Sequence, residues 1–558
     1  MTDCSNILEK KLTLLRGEIL GADGFNGEMC GAYAAFISVC DTLSRAVVLR
    51  GVGDNPEAAW DKACAAAVDR VRKSGCNAQW VKADITCSSR RVPFSELAET
   101  LEKTRCGSFR NGISFDEGMN ISVIEAEISS ARLIAYKTHA LELTRVNRYL
   151  SSCGLPTLSG FPENVILFDC VSRFCDENGR VYALYGSGPD CGRRVTDGID
   201  RDIALQVITT SSEYLSMQVG TDGKMDYGWY PLQHNAVEGY NIMRHCSAIW
   251  GMLCAYRLTG DKFTLGQAEK ALAYLVGESF GKYPKRQGRD NTSYIRESTK
   301  GEVKLGAGAL AILVMTEYMD ITGSRQYTKL CRELGNGILE LFDRRDGSFF
   351  HVLNYPQLSP KDKFRTVFYD GEATFALCRL YGLTGDQKWL EAAAMSADRF
   401  IREGYEKHRD HWVAYSMNEL CKYLPEERYL SFGLKNAGAN LKAIYNRDTT
   451  YHTYLELLCV TLELYTRIKD SGMSCSYLRS FSEDKFISTI LRRAEFMLNG
   501  YGYPEYVMYF RYPSLSLGSF FMRHDCFRTR IDDVQCVLFV LQELREAGEG
   551  LNTAFPWQ

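Results

Sequence analysis

Ionisable side chains stand immediately before each of six apolar segments that have the residue spacing of helices. Histidine shows the pattern most clearly, because five of the eight histidines in the chain fall at these positions. They are His245, His408, His411, His452 and His524. If the starts of the six segments converge in space, these side chains would form one site that can donate and accept protons.

Glycoside hydrolysis with inversion is one chemistry that such a site could perform. It needs a carboxylic acid that protonates the leaving oxygen and a carboxylate that activates water, typically about 6.5–9.5 Å apart. Asp370 or Glu372 at the third segment, facing Asp532 or Asp533 at the sixth, is the natural pair. We expect this chemistry to need no metal or other cofactor.

Sugar epimerisation is the alternative chemistry, and it would use His245 with His411 or His452 as two bases on opposite faces of a sugar ring. Each candidate also has a structural interpretation. Asp370 and Asp532 could cap helices, His245 could be a hydrogen-bonded core residue, and Trp412 could be core rather than a platform for a sugar.

The remaining polar side chains near the segment starts are candidates for substrate binding. These are Tyr240, Arg244, Lys304, Tyr369, Asp410, Trp412, Tyr451, His452, Arg528 and Arg530. Arg365 and Arg447 and a basic run over residues 282–304 add positive charge. Guanidinium groups favour carboxylates and phosphates, so we expect an anionic ligand such as a uronic acid or a sugar phosphate. The alternative for the basic run is a solvated loop.

Two kinds of helix must position these residues. Segments that are apolar almost all round alternate with amphipathic segments, and we count six of each over residues 197–558. Thr-Gly pairs end three of them, at Gly260, Gly323 and Gly385, and glycine there predicts a left-handed helix cap. Six buried helices inside six amphipathic ones predict an (α/α)6 toroid. A superhelical solenoid is the alternative, but its repeats are usually stricter in length.

This region resembles the six-hairpin glycosidase superfamily of toroids, although no single family within it. The Tyr-x-x-Thr-Gly-Asp hairpins and the inner helix that begins Tyr369-Asp370-Gly371-Glu372-Ala373 carry the resemblance. The superfamily includes glycoside hydrolases, unsaturated uronyl hydrolases and sugar 2-epimerases. The resemblance implies a carbohydrate-active enzyme, whereas a non-catalytic ligand-binding or scaffold toroid is the rival interpretation.

Residues 1–195 mix strand and helix patterns and predict an α+β domain of unknown role, followed by the toroid domain over residues 196–558. The whole chain is therefore expected to be mainly α. The N-terminal domain is the candidate surface for a protein partner.

The composition of the chain limits which cellular compartment and which classes of binding partner we expect. The N-terminus shows no signal-peptide pattern, no uninterrupted apolar span is present, and the 20 cysteines show no metal-ligand spacing, so we expect a cytoplasmic protein. A net charge of −3 and the absence of a basic aromatic stripe speak against nucleic acid and membrane as partners.

Overall fold

The computed structural model describes residues 2–105, 107–280, 291–297, 301–535 and 538. Their N-terminal part contains a seven-stranded antiparallel sheet in the order β2-β1-β3-β6-β4-β5, with β7 paired to β6. The strands are β1 (Tyr33–Cys40), β2 (Val47–Gly53), β3 (Trp80–Pro93), β4 (Gly112–Ser114), β5 (Ser122–Val123), β6 (Asn164–Cys175) and β7 (Val181–Leu184). Its helices are α1 (Thr2–Leu20), α2 (Pro56–Ser74), α3 (Phe94–Lys103), α4 (Glu125–Ser130) and α5 (Leu143–Ser152).

The alternation of side chains along β1 gives the sheet two buried faces. Ala35 and Ile37 pack under α1 and α2, while Phe36 belongs to the same apolar core as the helices that follow. Ser38 Oγ lies 2.8 Å from Tyr509 Oη across this junction. The sheet is therefore packed directly on the helical part of the chain.

Helices of two kinds alternate in the rest of the described chain. The outer, amphipathic helices are α6 (Arg201–Met217), α8 (Lys262–Phe280), α10 (Thr328–Glu340), α12 (Gln387–Glu403), α14 (Glu427–Gly438) and α17 (Glu483–Met497). The inner helices are α7 (Ile242–Thr259), α9 (Leu305–Thr322), α11 (Phe368–Thr384), α13 (His411–Tyr423), α16 (Thr453–Ser471) and the described start of a sixth at residues 531–535. Short helices α15 (Leu441–Tyr445) and α18 (Pro504–Val507) lie in the connections.

The inner helices close into a ring. Each of α7, α9, α11 and α13 packs against the next inner helix, and the described start of the sixth returns to the first, because Gly251 of α7 faces the backbone of Gln535. The centre is filled by aromatic rings, with Trp250 of α7 stacked 5.9 Å from Trp412 of α13. The predicted mainly-α fold with an (α/α)6 toroid is confirmed, and the solenoid alternative does not fit a ring that closes.

The predicted glycine caps occur at the ends of three inner helices. Gly260, Gly323 and Gly385 have φ values of 69°, 71° and 68°, and the Gly260 N–H donates to the carbonyl of Tyr256 at 2.8 Å. Within the described residues, α9 is long and apolar enough to cross a membrane by length and composition, and 78% of it lies inside the protein. It is therefore placed as a core helix of the ring.

Short strands lie within the loops that lead into the inner helices. They are β8 (Gly228–Tyr230), β9 (Asn235–Ala236), β10 (Arg296–Glu297), β11 (Glu302–Lys304), β12 (Phe342–Asp343), β13 (Ser348–Phe349), β14 (Val352–Asn354), β15 (Ser359–Asp362), β16 (Phe521–Met522) and β17 (Arg528–Arg530). The β16-β17 hairpin pairs with β8 and so fixes the approach to the sixth inner helix.

Candidate active site at the mouth of the toroid

A cavity of about 790 Å³ opens where the inner helices begin. Eleven of the sixteen residues predicted to form the site line it. They are Arg244, Lys304, Tyr369, Glu372, His411, Trp412, Tyr451, His452, Arg530, Asp532 and Asp533. The helix starts therefore converge as the sequence pattern indicates.

Five predicted residues do not line this cavity, and each has a structural partner instead. Asp370 accepts hydrogen bonds from Arg399 at 3.1 Å and from Tyr405 at 3.0 Å behind the helix. Asp410 caps α13 by accepting the Trp412 N–H at 2.9 Å. The other three form the pairs Tyr240–His245 and Arg528–Asp533, at 2.8 and 3.2 Å.

His245 is held on both sides of its ring. Nδ1 lies 2.8 Å from the Tyr240 hydroxyl, and Nε2 lies 2.9 Å from the carbonyl oxygen of Ala271. Burial lowers the pKa of His245 to about 4. The contacts of His245 thus fit the hydrogen-bonded core residue, one of the two alternatives that the sequence left open, rather than the catalytic base.

Glu372 places a neutral carboxyl group at the cavity. It lies on α11, is 5% exposed, and its Oε2 has no hydrogen-bond partner among the described residues. Burial and the negative charge of Asp410 raise the pKa of Glu372 to about 8. Glu372 therefore carries a proton at neutral pH, as a general acid must.

The sixth inner helix supplies two further carboxyl groups. Burial tends to raise the pKa of Asp532. Arg530 at 2.8 Å and Arg244 at 3.2 Å outweigh burial and hold this pKa below its usual range. Burial and the charge of Asp532 raise the pKa of its neighbour Asp533 to about 7. The cavity thus contains one carboxylate that stays ionised and a second, Asp533, whose basicity is near neutral.

His411 and His452 form a second set of proton acceptors in the same cavity. Burial lowers the pKa of each ring to about 3, so both are neutral at pH 7. Nδ1 of His411 and both ring nitrogens of His452 have no hydrogen-bond partner within the described ranges. Buried polar atoms are normally satisfied, so the lack of a partner for these nitrogens is unusual.

Positive charge at the cavity is only partly compensated. Arg365 pairs with Glu302 and Asp362, whereas Arg409 and Arg447 make no ion pair in the part of the chain that is described. Their Nε atoms donate instead to Asn440 at 3.1 Å and to Thr449 at 3.0 Å. These two guanidinium groups are placed to meet an anion.

Sequence reasoning missed Arg409 as a site residue. Its φ of 55° is unusual for a residue other than glycine, and it lies between His408 and Asp410, directly before α13. The position before an inner helix was the available signal. The basic run over residues 282–304 falls largely outside the described residues, except for Lys304 and the stretches 291–297 and 301–303.

Trp412 is mainly a core residue. It is 7% exposed, and its ring packs against Trp250 and Tyr415 at 5.9 and 5.5 Å. It contributes an apolar wall to the cavity rather than an open platform. No group of three or more His, Cys, Asp or Glu side chains that could hold a metal ion occurs in the described ranges.

Comparisons with solved structures return sugar-modifying enzymes at low sequence identity. A D-mannose isomerase is 11% identical, with 62% of this chain and 98% of that chain covered and a TM-score of 0.47. The cellobiose 2-epimerase of Spirochaeta thermophila is 13% identical, with coverages of 62% and 96% and a TM-score of 0.47. An unsaturated glucuronyl hydrolase specific for heparin is 12% identical, with coverages of 62% and 98% and a TM-score of 0.44. No protein-family model and no curated sequence matches this chain.

Proposed function

We propose that this protein is a carbohydrate-active enzyme, a glycoside hydrolase that cleaves an anionic saccharide by general acid–base catalysis without a metal. One observation carries the proposal: the same cavity contains a protonated carboxyl group, Glu372, and carboxyl groups of different basicity, Asp532 and Asp533, from the sixth inner helix. Carboxyl groups of one site whose environments shift their pKa values are the usual candidates for acid and base.

Glu372 is the acid in this mechanism. Its proton would pass to the glycosidic oxygen as the bond to the sugar breaks, and the charge left on Glu372 would lie beside the cavity rather than in bulk water. Asp410 is the capping carboxyl next to Glu372; negative charge on Asp410 raises the pKa of Glu372, while burial raises the pKa of Asp410 itself to about 8. It therefore supports Glu372 without lining the cavity.

Asp533 is the base. Both oxygens of Asp532 accept hydrogen bonds from Arg530 and Arg244, which makes Asp532 a weak base. The pKa of Asp533, in contrast, is about 7, close to neutral pH. Asp533 would remove a proton from the attacking water. Arg528, which donates to Asp533 at 3.2 Å, would orient the Asp533 carboxyl group. Asp532 then has two tasks, which are to orient the arginines and to raise the basicity of its neighbour.

The anionic character of the substrate is inferred from Arg409 and Arg447. These side chains form no ion pair within the described chain, and a bound carboxylate or phosphate would neutralise their positive charge. A uronic acid or a phosphorylated sugar is the ligand that combines such a group with a glycosidic bond.

Product analysis tests the proposal. Wild type, E372Q and D533N would be incubated with uronic-acid oligosaccharides and followed by NMR of the anomeric protons. We expect cleavage by wild type and a loss of about 100-fold or more in E372Q, the usual contribution of a general acid. The D370N variant is the matched control, because Asp370 lies on the same helix outside the cavity. Equal activity of E372Q and wild type would contradict the assignment.

Epimerisation is a second candidate, favoured by the unpartnered ring nitrogens of His411 and His452 in the same cavity. One ring would remove the proton next to the carbonyl of the open sugar, and the other would return it on the opposite face. In heavy water this reaction would leave deuterium on the sugar carbon without cleaving any glycosidic bond. The same NMR experiment therefore separates the two functions. A protein that binds the sugars but transforms none of them would support the scaffold interpretation.

A further inference from the structure

A second cavity, of about 550 Å³, shares no lining residue with the mouth of the toroid. It lies where the N-terminal part of the chain meets Gln233, in the loop after β8. Four arginines and one carboxylate line it: Arg45, Arg132, Arg145, Arg148 and Glu142. We call it the arginine pocket.

One face of α5 forms a wall of this pocket. Arg145, Arg148 and Ser152 recur at helical spacing, so they project to the same side, while Val146 and Leu150 are buried on the other. Arg145 is held in place, because its side chain pairs with Glu142 at 3.2 Å and donates to the carbonyl oxygen of Arg132 at 3.0 Å. The wall is therefore ordered before any ligand arrives.

Arg45 approaches from the loop between β1 and β2. One of its terminal nitrogens donates to the carbonyl oxygen of Leu232, whereas its buried Nε has no hydrogen-bond partner among the described residues. A buried donor without an acceptor is costly, so the Arg45 side chain is left with unsatisfied hydrogen-bonding capacity beside the pocket.

The charge of the pocket is unbalanced. Glu142 compensates Arg145, but Arg45, Arg132 and Arg148 form no ion pair within the described ranges. Like charges gathered in one concave surface repel each other, and the repulsion is relieved when an anion binds. The planar guanidinium group forms paired hydrogen bonds with tetrahedral oxyanions as well as with carboxylates.

We propose that the arginine pocket binds a small molecule that carries more than one phosphate or sulfate group. The positive charge of three arginines without carboxylate partners is more than a single carboxylate would neutralise. The volume of the pocket is that of an ordinary small-molecule site. The site takes its residues from both parts of the chain, so the ligand would also fasten the N-terminal part to the toroid. This inference does not depend on the function proposed for the mouth.

Isothermal titration with inorganic tripolyphosphate tests the pocket directly, using the full chain. The variants are R148A and R132A, and R70A is the control, since Arg70 is an exposed arginine of α2 outside the pocket. We expect binding with a Kd below about 1 mM, weakened about tenfold in R148A and R132A, the loss of one charge-assisted contact, and unchanged in R70A. Circular dichroism would verify that each variant is folded.

Two further arms locate the site and its ligand. In the R409A/R447A double variant, the mouth loses its uncompensated charge, and tripolyphosphate binding should persist. Binding that is lost in this double variant but kept in R148A would place the anion at the mouth and overturn the proposal, as would no binding up to about 10 mM. A sulfated disaccharide that binds more tightly than tripolyphosphate, is weakened by R148A and is unaffected in the R409A/R447A variant would support the same pocket and identify sulfate as the preferred group.

Discussion

The carboxyl group of Glu372 occupies space beside α9 that exists only because residue 306 is glycine. A Cβ atom at position 306 would overlap Glu372 Oε2, and it would lie 2.9 Å from the Met243 sulfur and from the Tyr369 ring. The absence of a side chain at this position of α9 therefore determines where the proposed acid on α11 can lie. This close approach positions the Glu372 carboxyl group at the cavity, although its Oε2 has no hydrogen-bond partner among the described residues.

Alanine at position 306 should displace the acid. We expect G306A to lower turnover of the substrate by at least tenfold and to cost roughly 1–3 kcal/mol of unfolding free energy, because the inserted methyl group overpacks the core. G308A is the control on the same helix, since a Cβ there meets nothing within 4 Å. It should leave turnover unchanged and keep or slightly raise stability. Equal activities of the two variants would show that the position of Glu372 does not matter.

The stability of the protein should fall with rising pH through the titration of Glu372. The pKa is about 8 in the folded chain against an ordinary value of 4.5, so the folded state retains a proton that the unfolded chain releases. The contribution is complete below about pH 4.5 and is lost as the pH rises through about 8. E372Q removes this titration, so its unfolding free energy should decline less over this range.

Urea unfolding at several pH values measures this difference. One pKa unit corresponds to about 1.4 kcal/mol, and we expect the wild type to lose at least about that much more than E372Q between about pH 5 and pH 8.5. Parallel pH profiles of the two proteins would mean that Glu372 titrates normally.

Asp370 should behave as a structural residue. It is fully buried, with Arg399 at 3.1 Å and Tyr405 at 3.0 Å. D370N would weaken a buried charge-assisted contact and cost roughly 2 kcal/mol, which appears as a Tm lowered by a few degrees. Its kcat on a turned-over saccharide should stay within about threefold of wild type. A loss as large as that of E372Q, in a protein that remains folded, would return Asp370 to the catalytic machinery.

Sequence reasoning located the mouth but could not assign each side chain to it. The alternation of helix types and the glycines at 260 and 385 predict the ring, because buried helices and left-handed caps leave direct traces in residue type. Asp370 and Glu372 are two positions apart on one helix, so they point to different sides, and only packing decides which side is the cavity. The residue pattern at the start of α11 therefore predicts a carboxylate at the mouth, but it does not distinguish Asp370 from Glu372.

Other features depend on contacts between distant parts of the chain. His245 was ambiguous because its partners are Tyr240 and a carbonyl oxygen on α8, and a sequence pattern does not show them. The arginine pocket joins residues from position 45 to position 233, so no local motif contains it. In both cases tertiary packing, rather than helix propensity, determines the role of the side chain.

The N-terminal part of the chain should help to order the mouth. Arg523, which directly follows β16, is buried against Glu125 of α4, and its Nε donates to the carbonyl oxygen of Gly107 at 3.0 Å. The next residue, His524, lies 3.1 Å from the hydroxyl of Tyr451 in the cavity wall. We expect E125Q to speed hydrogen–deuterium exchange in residues 523–530, since a buried charge pair is broken.

The exposed Glu99 of α3 supplies the control for this experiment. E99Q changes a carboxylate at the surface of the same N-terminal part, so exchange in residues 523–530 should match that of wild type. An E125Q protein with unchanged exchange in this segment would show that the hairpin is ordered without the N-terminal part.

Difference infrared spectroscopy of wild type against E372Q measures the protonation of Glu372 without any substrate. We expect the wild-type protein to show the carbonyl band of a protonated carboxylic acid at pH 7 that E372Q lacks, and we expect this band to disappear as the pH is raised past about 8. A spectrum with only carboxylate bands for Glu372 at pH 7 would contradict the assignment of this residue as the acid at the mouth of the toroid.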